Sequence, residues 1–194
     1  MTLSPALLSP LIPLWYPSVV IWIIGETVLI VRNKGISCHC SVRIRIVLIF
    51  YAIFCILLAL LAALNPLFQF SADPTRITIV SLFLIWVGMA IRFSAASELG
   101  VFYSPKMIAD HGHHLIRTGL YRYIRHPSGL GFMVVVCGVS LICVNYLVPI
   151  LVLGGLAPVI LVRIFVEEDT LHNRFGYEYH QYCERTCRLI PGLF

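Results

Sequence analysis

The chain has 194 residues, 59% hydrophobic and 12% charged, with a net charge of +5 at neutral pH and a mean hydropathy of +0.91. A soluble domain of this length carries about 25% charged residues, so an ordinary soluble domain is excluded and one integral membrane domain over 1–194 is expected. The basic residues form no dense stripe, which speaks against a nucleic-acid surface; their distribution fits membrane topology better.

The first ten residues carry no basic n-region, and no small-residue cleavage site precedes the first apolar run, so no cleavable signal peptide is expected. A membrane span needs about 20 apolar residues. Residues 11–31 supply the first, ended by Arg32 and Lys34. Cys38-His39-Cys40 resembles a metal fragment, but no second Cys/His pair stands at zinc-site spacing, so a reduced loop without metal is expected. The second span starts at Val42 or Arg45 and runs to Leu64, before Asn65-Pro66. The third covers 77–91 and extends past Arg92 to Ala96. The fourth covers 131–144, Asn145 permits a tight turn, and 146–166 returns as the fifth. Pro149, Pro158 and Gly154-Gly155 predict a kink or loosening in that last span. Cys55, Cys137 and Cys143 sit in apolar runs, where cysteine acts as a small hydrophobe. The expected fold is all-α, a polytopic membrane bundle of five transmembrane helices ending in a helical hairpin. Three spans occupy 11–96, and 97–194 holds the other two.

Loop charge sets the orientation. Arg32, Lys34, Arg43 and Arg45 flank the first connection, Lys106, Arg117, Arg122 and Arg125 lie in the third, and Arg174, Arg185 and Arg188 lie in the tail. By the positive-inside rule these are cytoplasmic, with the N-terminus outside and the C-terminus inside.

Two polar cassettes then fall on one cytoplasmic face. The first is Gly119-Leu-Tyr121-Arg-Tyr-Ile-Arg125-His126-Pro127-Ser128-Gly129-Leu-Gly131. The second is Arg163-Ile-Phe-Val-Glu167-Glu168-Asp-Thr-Leu171, followed by Phe175-Gly176-Tyr177-Glu178-Tyr179. Arg163 and Glu167 are four apart and share a helix face, while Glu168 points about 100° away. The hairpin brings the start of the fourth span beside the end of the fifth, so His126, Arg163 and Glu167 are expected to be neighbours. An ion pair at the membrane boundary is the plainer reading of Arg163 and Glu167 alone. His111, His113 and His114 could bind metal or haem, but they lie in a connection with no carboxylate at ligand spacing. Tyr121, Tyr123, Tyr177, Tyr179 and Tyr182 suit a membrane belt or the flat faces that adenine needs. There is no P-loop, only a stub of G-x-G-x-x-G, and neither G-x-S-x-G nor H-E-x-x-H. A nucleotide-like cofactor would have to bind without a Rossmann sheet.

R-H-P followed by Gly four positions on, Glu-Glu-x-x-Leu, and F-G-x-E-Y-x-x-Y together resemble the isoprenylcysteine carboxyl methyltransferase family, in the form of a short prokaryotic member. The stretch from Arg92 to Ser104 also fits that pattern, and the resemblance covers about 91–191. Gly129 stands where many members have Tyr, and Lys106 where some have Gln. The resemblance implies methyl transfer from S-adenosylmethionine to a carboxylate at a membrane surface, leaving S-adenosylhomocysteine. It implies a cytoplasmic cofactor pocket within 97–194, with the cofactor held by Lys106, His113, His114, Leu115, Ile116, Tyr121, His126, Pro127, Ser128, Gly129 and Glu167. Arg163 would hold the substrate carboxylate, and Arg163 and Glu167 would be the catalytic pair. The acceptor, a prenylated cysteine or similar lipophilic acid, would enter from the bilayer. Three other readings remain: a phospholipid amine methyltransferase, a sterol-reductase-like enzyme using a nicotinamide cofactor, and a non-catalytic membrane binding protein. No small-xxx-small motif dominates any span, so the sequence gives no oligomeric state.

Overall fold

A computed structural model describes residues 12–32, 53, 57, 67, 73–100, 115–143 and 145–190. The described residues fold as helices: α1 (Ile12–Arg32), α2 (Pro74–Leu99), α3 (Pro127–Leu141), α4 (Leu147–Phe175) and α5 (Tyr177–Arg185), with a 3-10 turn at Gly119–Arg122. The all-helical expectation holds among them. Two helices, α2 and α4, are long and apolar enough to cross a membrane; α3 and the Tyr16–Val28 part of α1 are shorter apolar helices. The expected second span lies almost wholly outside the described residues, as does Cys38-His39-Cys40.

Local sequence sets the helix ends. Asp73 caps α2, its Oδ1 accepting from the Thr75 N–H at 2.9 Å, and Pro74 fills the first turn, where a missing N–H does no harm. Gly100, at φ 52°, ends the helix with its N–H on the Ala96 and Ser97 carbonyls. α2 therefore begins earlier and ends later than the apolar run alone predicts. Pro127 opens α3. Asn145 is fully buried in the next turn, and its Oδ1 accepts from the Leu147 N–H at 2.9 Å, which confirms the expected hairpin. α4 runs as one helix through Pro158 and continues past the expected end of the span to Phe175.

Small residues bring α2 and α3 together. A Cβ on Gly88 would lie 2.7 Å from the Gly131 carbonyl, and one on Gly131 would lie 2.7 Å from the Gly88 carbonyl. One turn-pair further, Ser81 Oγ donates to the Gly138 carbonyl at 2.7 Å. Around these contacts Ile85, Met89 and Val135 form the core, with Val19, Trp22 and Phe93 against it. Close backbone approach through small residues is how helices gain contact where lipid removes the hydrophobic drive. α1 joins at Gly25, whose open side faces the Phe93 ring. The outer faces keep Ile24, Val28, Phe83, Trp86, Ile150 and Phe165 exposed, as lipid-facing helices do.

Candidate active site

The polar end is assembled where α3 starts and α4 ends. The tail folds back along the approach to α3: Cys187 N–H donates to the Tyr123 carbonyl at 3.0 Å, Arg125 N–H to Cys187 at 2.9 Å, and His126 N–H to Arg188 at 3.1 Å. α5 packs from the side. Its Tyr182 hydroxyl donates to the Tyr121 carbonyl at 2.7 Å, and its Tyr179 ring lies 6.0 Å from that of Tyr182. On the other side Glu98, at the end of α2, accepts the Leu120 N–H at 3.0 and 3.2 Å. Gly119 precedes it at φ 55° with Glu98 where a Cβ would stand, so no larger residue fits that turn.

Glu168 is the hub. One oxygen accepts from Arg125 Nη1 at 2.8 Å and the other from Arg188 Nε at 2.9 Å. His126 sits between the two adjacent carboxylates, with Nδ1 3.5 Å from Glu167 Oε2 and Nε2 3.5 Å from Glu168 Oε1. The Nε2 contact is one of charge, without hydrogen-bond geometry. Burial alone would lower the His126 pKa; Glu167 and Glu168 outweigh it and raise the value above the ordinary 6.5. A carboxylate facing each ring nitrogen favours the imidazolium form. Burial pushes the hydroxyls of Tyr179 and Tyr182 up, so both stay protonated.

Arg163 Nε donates to Glu167 Oε1 at 2.8 Å, and both side chains remain about half exposed. An exposed i,i+4 pair adds only about 0.3–0.5 kcal/mol. Stability is therefore a weak reason for it, whereas a guanidinium held flat beside a carboxylate suits recognition of a planar anion. His126, Arg163 and Glu167 are brought together as the spacing predicts. Glu168 diverges from Glu167 as expected, but its role as the common partner of Arg125, His126 and Arg188 was not foreseen.

The sequence reading also missed a pair inside the apolar layer. Arg92 of α2 makes a two-pronged contact with Glu26 of α1 through Nε and Nη2, the latter at 2.7 Å. Its Nη1 donates to the Ser128 carbonyl and hydroxyl at 2.9 and 3.0 Å, and the guanidinium rests 5.2 Å from the Phe132 ring centroid. Trp22 Nε1 donates to Glu26 at 3.2 Å. Ionisable groups within apolar helices are expensive to bury and face protein partners. The available signal was a lone carboxylate and a lone arginine in two apolar runs.

The remaining expected residues divide. Pro127, Ser128 and Gly129 form the first turn of α3, which no side chain caps. Among the described residues, a Cβ beside Gly129 would meet only Ile160 Cγ2, at 3.7 Å, which leaves room on that side. Tyr121 is buried, and Leu115 and Ile116 run half-buried before the 3-10 turn. Lys106, His111, His113 and His114 lie outside the described residues. Of the tyrosines, Tyr179 and Tyr182 are packing residues, whereas Tyr123 and Tyr177 are exposed.

Residues 79–173 match the family model described as the isoprenylcysteine carboxyl methyltransferase (ICMT) family. The chain is 30% identical to a protein-S-isoprenylcysteine O-methyltransferase of Saccharomyces cerevisiae over 129 residues, 66% of this chain and 54% of that protein. It is 26% identical to protein-S-isoprenylcysteine O-methyltransferase A of Arabidopsis thaliana over 178 residues, 90% of this chain and 89% of that one. Methanethiol S-methyltransferase 1 of Bradyrhizobium diazoefficiens is 38% identical over 72 residues, 37% of this chain and 24% of that one. The solved structure of the eukaryotic intramembrane Ras methyltransferase ICMT superposes with a TM-score of 0.59 at 22% identity, covering 73% of this chain and 52% of that one, a likeness of fold. The chain spans about half the length of the yeast relatives it matches. The resemblance carried by the motifs is thus shown: this chain is similar to the isoprenylcysteine carboxyl methyltransferase family, across the segment that holds both polar cassettes.

Proposed function

We propose that this chain, similar to the isoprenylcysteine carboxyl methyltransferases over its polar half, is an integral membrane methyltransferase that uses S-adenosylmethionine to methylate a lipophilic carboxylate at the cytoplasmic face. The single domain 1–194 would cross the bilayer five times with its N-terminus outside and its C-terminus inside. The observation that carries the reading is the convergence of His126, Arg163 and Glu167 at the meeting of α3 and α4. The residues fit the cofactor's polar ends. The positive dipole end of α3, which no side chain caps, favours an anionic group such as an amino-acid carboxylate. Glu167, half exposed beside Arg163 and His126, is a carboxylate available to an ammonium group. The room beside Gly129 leaves space for a ring.

S-adenosylmethionine, when bound, supplies a methyl group on a sulfonium cation. An acceptor carboxylate with a pKa of about 3.5 is already ionised, so no general base is needed. This chain's residues then have to align the acceptor oxygen with the methyl carbon and exclude water. Arg163, its plane fixed by Glu167, would orient the acceptor carboxylate. His126 as imidazolium would offset the paired carboxylates and hold Glu167 in place. Lys106 and residues 113–116 would complete the cofactor's cradle, and the lipid part of the acceptor would enter from the bilayer.

The match to a methanethiol S-methyltransferase favours a second acceptor class, a small thiol. A thiol is nucleophilic only as thiolate, so that reading needs a deprotonation step the carboxylate reading does not. Methyl transfer from labelled S-adenosylmethionine to a farnesylated cysteine and to methanethiol, run side by side, tests both. Methylation of the first alone is expected; methylation of methanethiol alone would overturn the acceptor. Arg163→Ala is expected to abolish transfer with cofactor binding intact, and loss of both would contradict its assignment. Glu167→Ala is expected to weaken cofactor binding itself.

A further inference from the structure

A second polar feature lies apart from Arg163 and Glu167. A cavity of about 410 Å³ is lined by Arg117, Arg122, Tyr123, Gln181, Tyr182 and Arg185. Three guanidinium groups face it. One, Arg117, is compensated by Glu178, with Nη2 2.6 Å from Oε1. Neither Arg122 nor Arg185 has a carboxylate within ion-pair reach among the described residues. Two of the three are held on aromatic faces, Arg117 with Cζ 5.9 Å from the Tyr182 centroid and Arg122 with Cζ 5.8 Å from that of Tyr123. A ring face beside Arg122 attracts its guanidinium without using its N–H groups, which remain for an oxyanion. The walls are rigid, because the 3-10 turn carrying Arg122 is tied to Glu98 on one side and to Tyr182 on the other.

We infer that this cavity is a binding site for the phosphate of an anionic membrane lipid. Arg122 and Arg185, with no carboxylate in reach among the described residues, repel one another across the cavity, and an entering phosphate relieves that repulsion. Arg and Tyr together form the usual chemistry of the headgroup layer. Tyr123 is 62% exposed at the rim, and the chain passes from it through Arg125 and His126 directly into the apolar helix α3. A lipid whose tails lie along α3 would therefore carry its phosphate to the level of the cavity. The inference rests on the membrane placement proposed above and not on methyl transfer. The occupied site would brace the turn that holds Tyr121.

The test is native mass spectrometry of the full chain released from neutral detergent and titrated with phosphatidylglycerol, phosphatidylcholine or inorganic phosphate. One phosphatidylglycerol is expected to bind ahead of phosphatidylcholine. Replacing Arg122→Gln and Arg185→Gln should weaken it roughly fivefold each, about 25-fold together. Arg174→Gln, outside the cavity, should leave it unchanged, and either single variant serves if the double one does not fold. Equal binding of the two lipids would overturn the inference. So would saturation by inorganic phosphate alone, or an equal loss in Arg174→Gln, which would mark a diffuse surface charge. Calorimetry with S-adenosylhomocysteine on the same variants separates the two proposals. Lost lipid binding with retained cofactor binding is expected of the arginine variants, whereas a wild-type protein that binds lipid but no cofactor sinks the methyltransferase reading alone.

Discussion

Both ring nitrogens of His126 face carboxylate oxygens, so the protonated ring is held by Glu167 and Glu168 and its pKa is raised in the folded protein. A raised histidine contributes stability that is fully present below its unfolded value of about 6.5 and is lost as pH climbs through the folded value. Thermal unfolding of the detergent-purified chain should therefore shift to lower temperature as pH rises above about 6.5. His126→Gln should flatten that part of the profile, and a variant with the wild-type slope would contradict the assignment. At this scale the sequence was partly legible. Arg163 and Glu167 are four apart, so one helical turn reveals them, and His126-Pro127 announces itself at a helix start. Glu168 was not legible as a hub because Arg125 and Arg188 lie 43 and 20 residues away and meet it only through the hairpin and the returning tail.

Between elements, two devices position the site, and both join partners far apart in the chain. Arg92 and Glu26 are separated by 66 residues and tie α1 and α2 to the first turn of α3 through Ser128. Removing one partner of a buried pair strands the other charge, typically at about 3–5 kcal/mol. Glu26→Ala should destabilise the chain on that order, and the double change Glu26→Ala with Arg92→Ala should lose less than the sum of the single losses. Strict additivity in thermal unfolding would argue against the pair. The second device is the mutual seating of Gly88 and Gly131, where each Cβ position is filled by the other helix's carbonyl. Gly131→Ala should cost about 1–3 kcal/mol by overpacking, while Gly154→Ala, with no described residue within 4 Å of its Cβ position, should be close to neutral. Helix existence could be read from apolar runs and from Asp73-Pro74, Asn145 and Gly176, because capping is local. The pairing of small residues across α2 and α3 could not be read, since glycines at such positions look the same whether they face lipid, a second copy or a neighbouring helix.

For the whole molecule, the apolar composition and the two cassettes already implied one membrane body with its chemistry at one end. The described residues place the buried charges in two connected groups there: Glu168 with Arg125, His126 and Arg188, and Glu26 with Arg92 reaching Ser128. Both groups end on the four residues from His126 to Gly129, which is why the start of α3 is the centre of the account. On the proposed function, this end holds S-adenosylmethionine. The most direct test is calorimetric titration of S-adenosylhomocysteine into the folded, detergent-purified full chain, with a nicotinamide dinucleotide as the control. Saturable binding of S-adenosylhomocysteine alone, weakened in Glu167→Ala, is the predicted result. Binding of the nicotinamide cofactor instead, or of neither in a folded sample, would contradict the account and leave the two charge groups as scaffold.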